Sequence, residues 1–229
     1  MKELFKKKEC LFVIILIVIY VVLNSYSINT YGNTSYITTI INTLISISLI
    51  VLIKILDRTK YYGLTKVKDK KKYLYFIPLL VIGTVNLWNG FKIDNTSTEI
   101  LFYIITMINV GFIEEVIFRG FLFKMIEKEN IKKGIIISSL TFGIGHIVSL
   151  LNGASLIPTL FQICYAVSIG YLFVTILIKS KSLIPQIITH MLINSLAIFN
   201  NQSELSTYII PVILIVVSLS YSMYINRKC

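Results

Sequence analysis

GFIEEVIFRG, residues 111–120, sets two glutamates and an arginine inside one of the most apolar stretches of a 229-residue chain. The apolar run reaches from about residue 100 to about residue 123, which matches the roughly 20 residues that a helix needs to cross a bilayer. Each charge at the centre of a membrane helix costs about 2.5 to 3.5 kcal/mol on insertion scales. Ionisable groups in such a place are retained for function by default. The segment therefore reads as a membrane helix that carries chemistry.

The rest of the chain agrees with a membrane setting. Hydrophobic residues make up 55% and charged residues only 14%, with a mean hydropathy of +0.80, whereas a soluble domain is about one quarter charged. Eight apolar segments are expected to cross, at about 10–26, 37–56, 73–91, 100–123, 134–151, 157–178, 182–199 and 207–225. None alternates with the period of two that a membrane strand requires. The expected fold is all-α, a polytopic membrane protein of about eight transmembrane helices.

The net charge of +11 is explained by topology. With the amino terminus inside, 20 of the 22 Lys and Arg residues fall in cytoplasmic segments, Lys92 falls outside and Arg119 lies within a helix. This is the bias of cytoplasmic loops, so both termini are expected in the cytoplasm and no nucleic-acid partner is needed. The basic start, the apolar run Leu11–Leu23 and the triplet Ser25, Tyr26, Ser27 resemble a signal peptide; its removal would leave the later helices in the same orientation. Cys10, Cys164 and Cys229 are isolated thiols without CxxC spacing, and indicate neither a disulfide framework nor a cysteine-based metal site.

Of the eleven acidic residues only Glu114 and Glu115 fall well inside a segment, and both histidines, His146 and His190, do so too. At about 1.5 Å of rise per residue, Glu114 lies roughly 21 Å below the outer entry, His146 roughly 18 Å and His190 roughly 12 Å above the inner one. These depths are compatible with one cavity. Glu115 and Arg119, four apart with Glu first, form a favourable same-face pair, expected to neutralise itself and support the site. Glu114, turned about 100 degrees away, is left for chemistry. His190 and Asn194 share a face. A general base at Glu114 with His146 could deprotonate water, and His190 with Asn194 could donate to the oxyanion formed at a carbonyl. Peptide-bond hydrolysis within the membrane fits these parts. A zinc ion held by Glu114, His146 and His190 is the other way to use them, although HExxH is absent; spacing does not separate a metal from a metal-free mechanism. Ser155 in NGAS, residues 152–155, lies at the outer surface, away from both histidines.

EEVIFRG at 114–120, FGIGH at 142–146 and HMLIN at 190–194 resemble the EExxxR, FxxxH and HxxxN motifs of the CPBP family. These are intramembrane proteases related to the type II CAAX prenyl protease and to abortive-infection and bacteriocin-immunity proteins. The resemblance covers about residues 100–200, flanked by three N-terminal helices with a basic loop (1–99) and a last helix (201–229). It implies Glu114 and His146 as the water-activating pair, His190 and Asn194 as oxyanion donors, and Glu115 and Arg119 as supportive. It also implies a multi-pass protein of the cell membrane acting on membrane-anchored or membrane-inserted substrates, with zinc or without a metal. The Ile-, Lys- and Asn-heavy composition suggests an AT-rich bacterium, where prenylated CAAX proteins are not expected. A non-catalytic binding or bacteriocin-immunity protein on the same fold is the alternative, and a proton or ion transporter a third, for which internal duplication is lacking.

Overall fold

The computed structural model describes residues 2–67, 69–201 and 203–227. Lys68, Lys228 and Cys229, used above for topology and thiol chemistry, lie outside the described residues. The chain is helical, and among the described residues there is no strand, only one isolated bridge between Phe91 and Asn200. The principal helices are α1 Glu9–Tyr31, α2 Tyr36–Leu56, α3 Ile77–Gly83, α4 Ser97–Glu115, α5 Ile131–Gly145, α6 Leu156–Ser180, α7 Ile184–Leu196 and α8 Ile210–Arg227.

Local sequence sets their ends. Thr96 and Glu99 form a reciprocal capping box at the start of α4, which satisfies two otherwise orphaned backbone donors. Ser35 caps α2 by accepting from the Ile37 amide, and Asn130 caps α5 by accepting from that of Lys133. Helices α2 and α6 end on Asp57 and Lys181 in the left-handed conformation. Pro185 sits in the first turn of α7, where its missing N–H costs nothing.

Among the described residues six helical spans are long and apolar enough to cross a membrane: Glu9–Tyr31, Tyr36–Leu56, Ser97–Ile126, Ile131–Leu151, Leu156–Ser180 and Thr207–Arg227. The expected segments at 73–91 and 182–199 differ. The first is broken into a 3₁₀ piece, Lys70–Phe76, the seven-residue α3 and a second 3₁₀ piece, Val85–Leu87. The second is α7 of 13 residues, extended by a single 3₁₀ turn, Ala197–Phe199. Polar groups mark the break. Asn86 donates to the carbonyl of Ile193 at 2.6 Å and accepts from Asn200, so the interrupted segment binds a backbone group near the end of α7.

Helix α1 packs on α2, α2 on α4, and α4 on α7; α5 packs on α6 and α6 on α8. The two sets meet where the continuation of α4 crosses α5. That continuation, Val116–Phe123, is π-helical and wholly buried. Large apolar side chains on α1 such as Leu11, Ile14, Val18 and Val22 are exposed, as expected for a surface that meets lipid. Its buried residues are Val13, Tyr20 and Ser27. Their spacing of seven traces one seam along the helix.

Candidate active site

Glu114 and Glu115 close α4, immediately before the π-helical turns. Such wide turns are rare and frequently found at functional sites. The Glu114 side chain is 16% exposed, whereas those of Glu115 and Arg119 are fully buried. Glu115 meets Arg119 as the sequence predicts, with Oε1 3.2 Å from Nη1, but the pair is not closed on itself. The same Oε1 lies 2.8 Å from Nδ1 of His190. A carboxylate with Arg on one side can only accept, so His190 donates from Nδ1, an arrangement that fixes the ring's orientation.

Glu114 is not free either. Its Oε1 accepts from the Tyr20 hydroxyl of α1 at 2.6 Å, and its Oε2 lies 3.5 Å from Nε2 of His190. His190 therefore stands between two carboxylates, one at each ring nitrogen. Sequence spacing reveals neither contact, because both cross between helices, and Tyr20 lies outside every motif.

His146 caps the end of α5, with Nδ1 3.1 Å from the Phe142 carbonyl. A carbonyl oxygen only accepts, so in neutral His146 the proton sits on Nδ1 and Nε2 is the basic nitrogen. The Phe142 ring is the hub of the site: the Arg119 guanidinium lies 4.0 Å from its centroid, and both imidazoles meet it edge to face at 5.1 and 5.6 Å. Cation–π attraction is stronger where the cation is desolvated, as it is for Arg119.

Two cavities adjoin this hub. The larger, about 160 Å³, has Glu114, His146, Tyr20, Asn24 and Asn152 among its lining residues. The smaller, about 60 Å³, is lined by His190, Asn194 and again His146. The expected residues are thus divided: Glu114 on one side, His190 and Asn194 on the other, with His146 and Phe142 shared. At about 30 Å³ per water, the larger cavity has room for several.

A zinc ion on Glu114, His146 and His190 was the open alternative. Among the described residues no three His, Cys, Asp or Glu side chains converge as a metal-holding group. Glu114 Oε1 is engaged by Tyr20, while the contacts of His190 and His146 at Nδ1 leave both Nε2 atoms as donors, the usual state of a metal-ligating histidine. What the described residues lack is the convergence of three such donors on one point.

Small residues let the helices that bear the site approach. A methyl group on Gly111 would lie 2.8 Å from the Met191 amide nitrogen and 3.0 Å from its Cα, and one on Gly143 would lie 2.8 Å from the Val167 nitrogen. One on Gly170 would meet Arg119 Nη2 at 3.1 Å. Met191 follows His190, and backbone cannot swing aside as a side chain can. Gly111→Ala is expected to force α4 and α7 apart, costing about 1 to 3 kcal/mol and separating His190 from Glu115. Thermal unfolding in detergent should show the loss of stability; an unchanged midpoint would contradict the close approach.

Comparison with known proteins bears on the same region. Residues 96–196 match a family model described as type II CAAX prenyl endopeptidase Rce1-like. Neither the curated proteins nor the solved structures compared with the chain gave a match. The matched region runs from the capping box of α4 to the end of α7 and includes all three motifs. Over residues 96–196 the chain is thus similar to the Rce1-like type II CAAX prenyl endopeptidases, in keeping with the motifs that resemble those of the CPBP family.

Proposed function

We propose that this protein is an intramembrane endopeptidase that hydrolyses peptide bonds of membrane-anchored or membrane-inserted substrates with a water activated by Glu114 and His146. The observation that carries this reading is Glu114 itself. It is a partly exposed carboxylate within an apolar span, sharing a cavity of about 160 Å³ with His146 and lying 3.5 Å from His190.

In the proposed reaction a water in the larger cavity gives its proton to Glu114, with Nε2 of His146 as a second acceptor. The oxygen attacks the scissile carbonyl, and the developing oxyanion accepts hydrogen bonds from the Asn194 amide and from Nε2 of protonated His190, whose Nδ1 donates to Glu115. Collapse of the tetrahedral intermediate breaks the C–N bond. The proton held by Glu114 then passes to the leaving amine. Aligned donors of this kind contribute about 100- to 1000-fold each. Arg119 acts at a distance by balancing the Glu115 charge. Residues 100–200 serve as the catalytic core, and the Lys and Arg asymmetry supports a cell-membrane protein with both termini in the cytoplasm.

The test is cleavage of quenched peptides and membrane-anchored substrates by protein in liposomes. His146→Ala is expected to lower the rate about 100-fold or more. Phenanthroline is expected to leave the rate unchanged, since the donor set does not gather around a metal. Inhibition reversed by added zinc would contradict the metal-free form of the reaction, and wild-type turnover by His146→Ala would contradict its assignment.

A further inference from the structure

We infer that Tyr20, on the first membrane helix and outside the matched family region, is a positioning residue of the active site, holding the Glu114 carboxylate by a hydrogen bond from its hydroxyl. This rests on the peptidase reading above and adds to it a residue from a helix that carries no motif.

Tyr20 is the middle member of the Val13, Tyr20, Ser27 seam and is 4% exposed, on a helix whose other aromatic and aliphatic groups largely face outward. A tyrosine in a membrane helix normally places its hydroxyl in the interfacial belt. Here the hydroxyl turns inward, onto Glu114 Oε1 at 2.6 Å, the short distance of a hydrogen bond to a charged acceptor. That one bond fixes the roles of the two carboxylate oxygens. Oε1 is held by the phenol, which leaves Oε2 directed toward His190 Nε2. A carboxylate without this anchor could rotate about its terminal bond and present either oxygen. Tyr20 also lines the larger cavity beside His146, so α1 forms one wall of the reaction chamber. Ser25 Oγ of α1 reinforces that wall by a 3.2 Å hydrogen bond to Asn152, beyond the end of α5. The stretch that resembles a signal peptide therefore supplies a residue the site uses, and removing it would remove the anchor of Glu114.

Tyr20→Phe removes one oxygen and preserves the ring. In the liposome assay it is expected to lower kcat about ten- to hundredfold, the effect of a misplaced catalytic group, with KM unchanged. Ser27→Ala, two turns along the same seam, is expected to keep the wild-type kcat, which separates positioning from general packing of α1. In the same samples the isotope-edited infrared band of the Glu114 carboxylate, identified by its absence in Glu114→Gln, is expected to shift in Tyr20→Phe. An unmoved band overturns the inference irrespective of turnover. A wild-type kcat in Tyr20→Phe beside an inactive Glu114→Gln overturns it alone and leaves the peptidase standing. Wild-type cleavage by Glu114→Gln sinks the peptidase reading and, because Tyr20 acts through Glu114, this inference with it.

Discussion

Glu114→Gln lowers the rate of peptide cleavage about 100- to 10,000-fold, the contribution of a positioned general base, while the protein stays folded. The substitution is nearly isosteric. The glutamine carbonyl can still accept from Tyr20, and the polar wall of the cavity is kept. What is lost is the basic oxygen that faces His190 and the cavity. Glu114 is 16% exposed and pairs with no Lys or Arg among the described residues, so neutralising it leaves His190 still bonded to Glu115 and the cavity open to solvent compensation. The melting temperature in detergent should change little. A large loss of both activity and stability would instead assign Glu114 to packing.

Arg119→Met has the opposite profile, with its main effect on stability. The guanidinium is fully buried, pairs with Glu115 at 3.2 Å and lies over the Phe142 ring at 4.0 Å. Its nitrogens make no hydrogen bond within the described structure, so its contribution is ionic and cation–π in kind. Removing one partner of a buried ion pair costs about 3 to 5 kcal/mol, because the other charge is left without compensation. Glu115 would keep only His190. The expected result is a fall in unfolding midpoint much larger than that of Glu114→Gln, with activity lost through a displaced Phe142. Adding Glu115→Gln should restore a large part of the stability, since the carboxylate left without its guanidinium is then neutral and His190 keeps Glu114 beside it. A double variant as unstable as Arg119→Met alone would show that shape, and not charge, sets the cost.

How much of this was visible in the sequence depends on the kind of contact. The helical class and the membrane setting follow from composition and from the length of the apolar segments, because hydropathy is a local property. The breaks at 73–91 and 182–199 were hidden because apolarity averaged over those windows masks Pro78, Gly83 and Asn86 in the first and the short reach of α7 in the second. In the site, the Glu115–Arg119 contact is legible because four residues bring side chains onto one face. The contacts of His190 with Glu114 and Glu115 pair residues 75 or more positions apart, which no spacing rule encodes. Tyr20 is harder still. An aromatic in an apolar helix reads by default as core or interface, and only the packing of α1 against the end of α4 distinguishes it. The π-helical turns after Glu115 likewise escape a reading that assumes 3.6 residues per turn.

The most direct test of a water-activating Glu114 is the fate of solvent oxygen in a single turnover. Wild-type protein and Glu114→Gln, reconstituted in liposomes with a membrane-anchored peptide, would be mixed in water enriched in oxygen-18 and the products read by mass spectrometry. The proposed reaction predicts one solvent oxygen in the new carboxylate from the first wild-type turnover and no product from Glu114→Gln over the same interval. Labelled product from Glu114→Gln at the wild-type rate would contradict it.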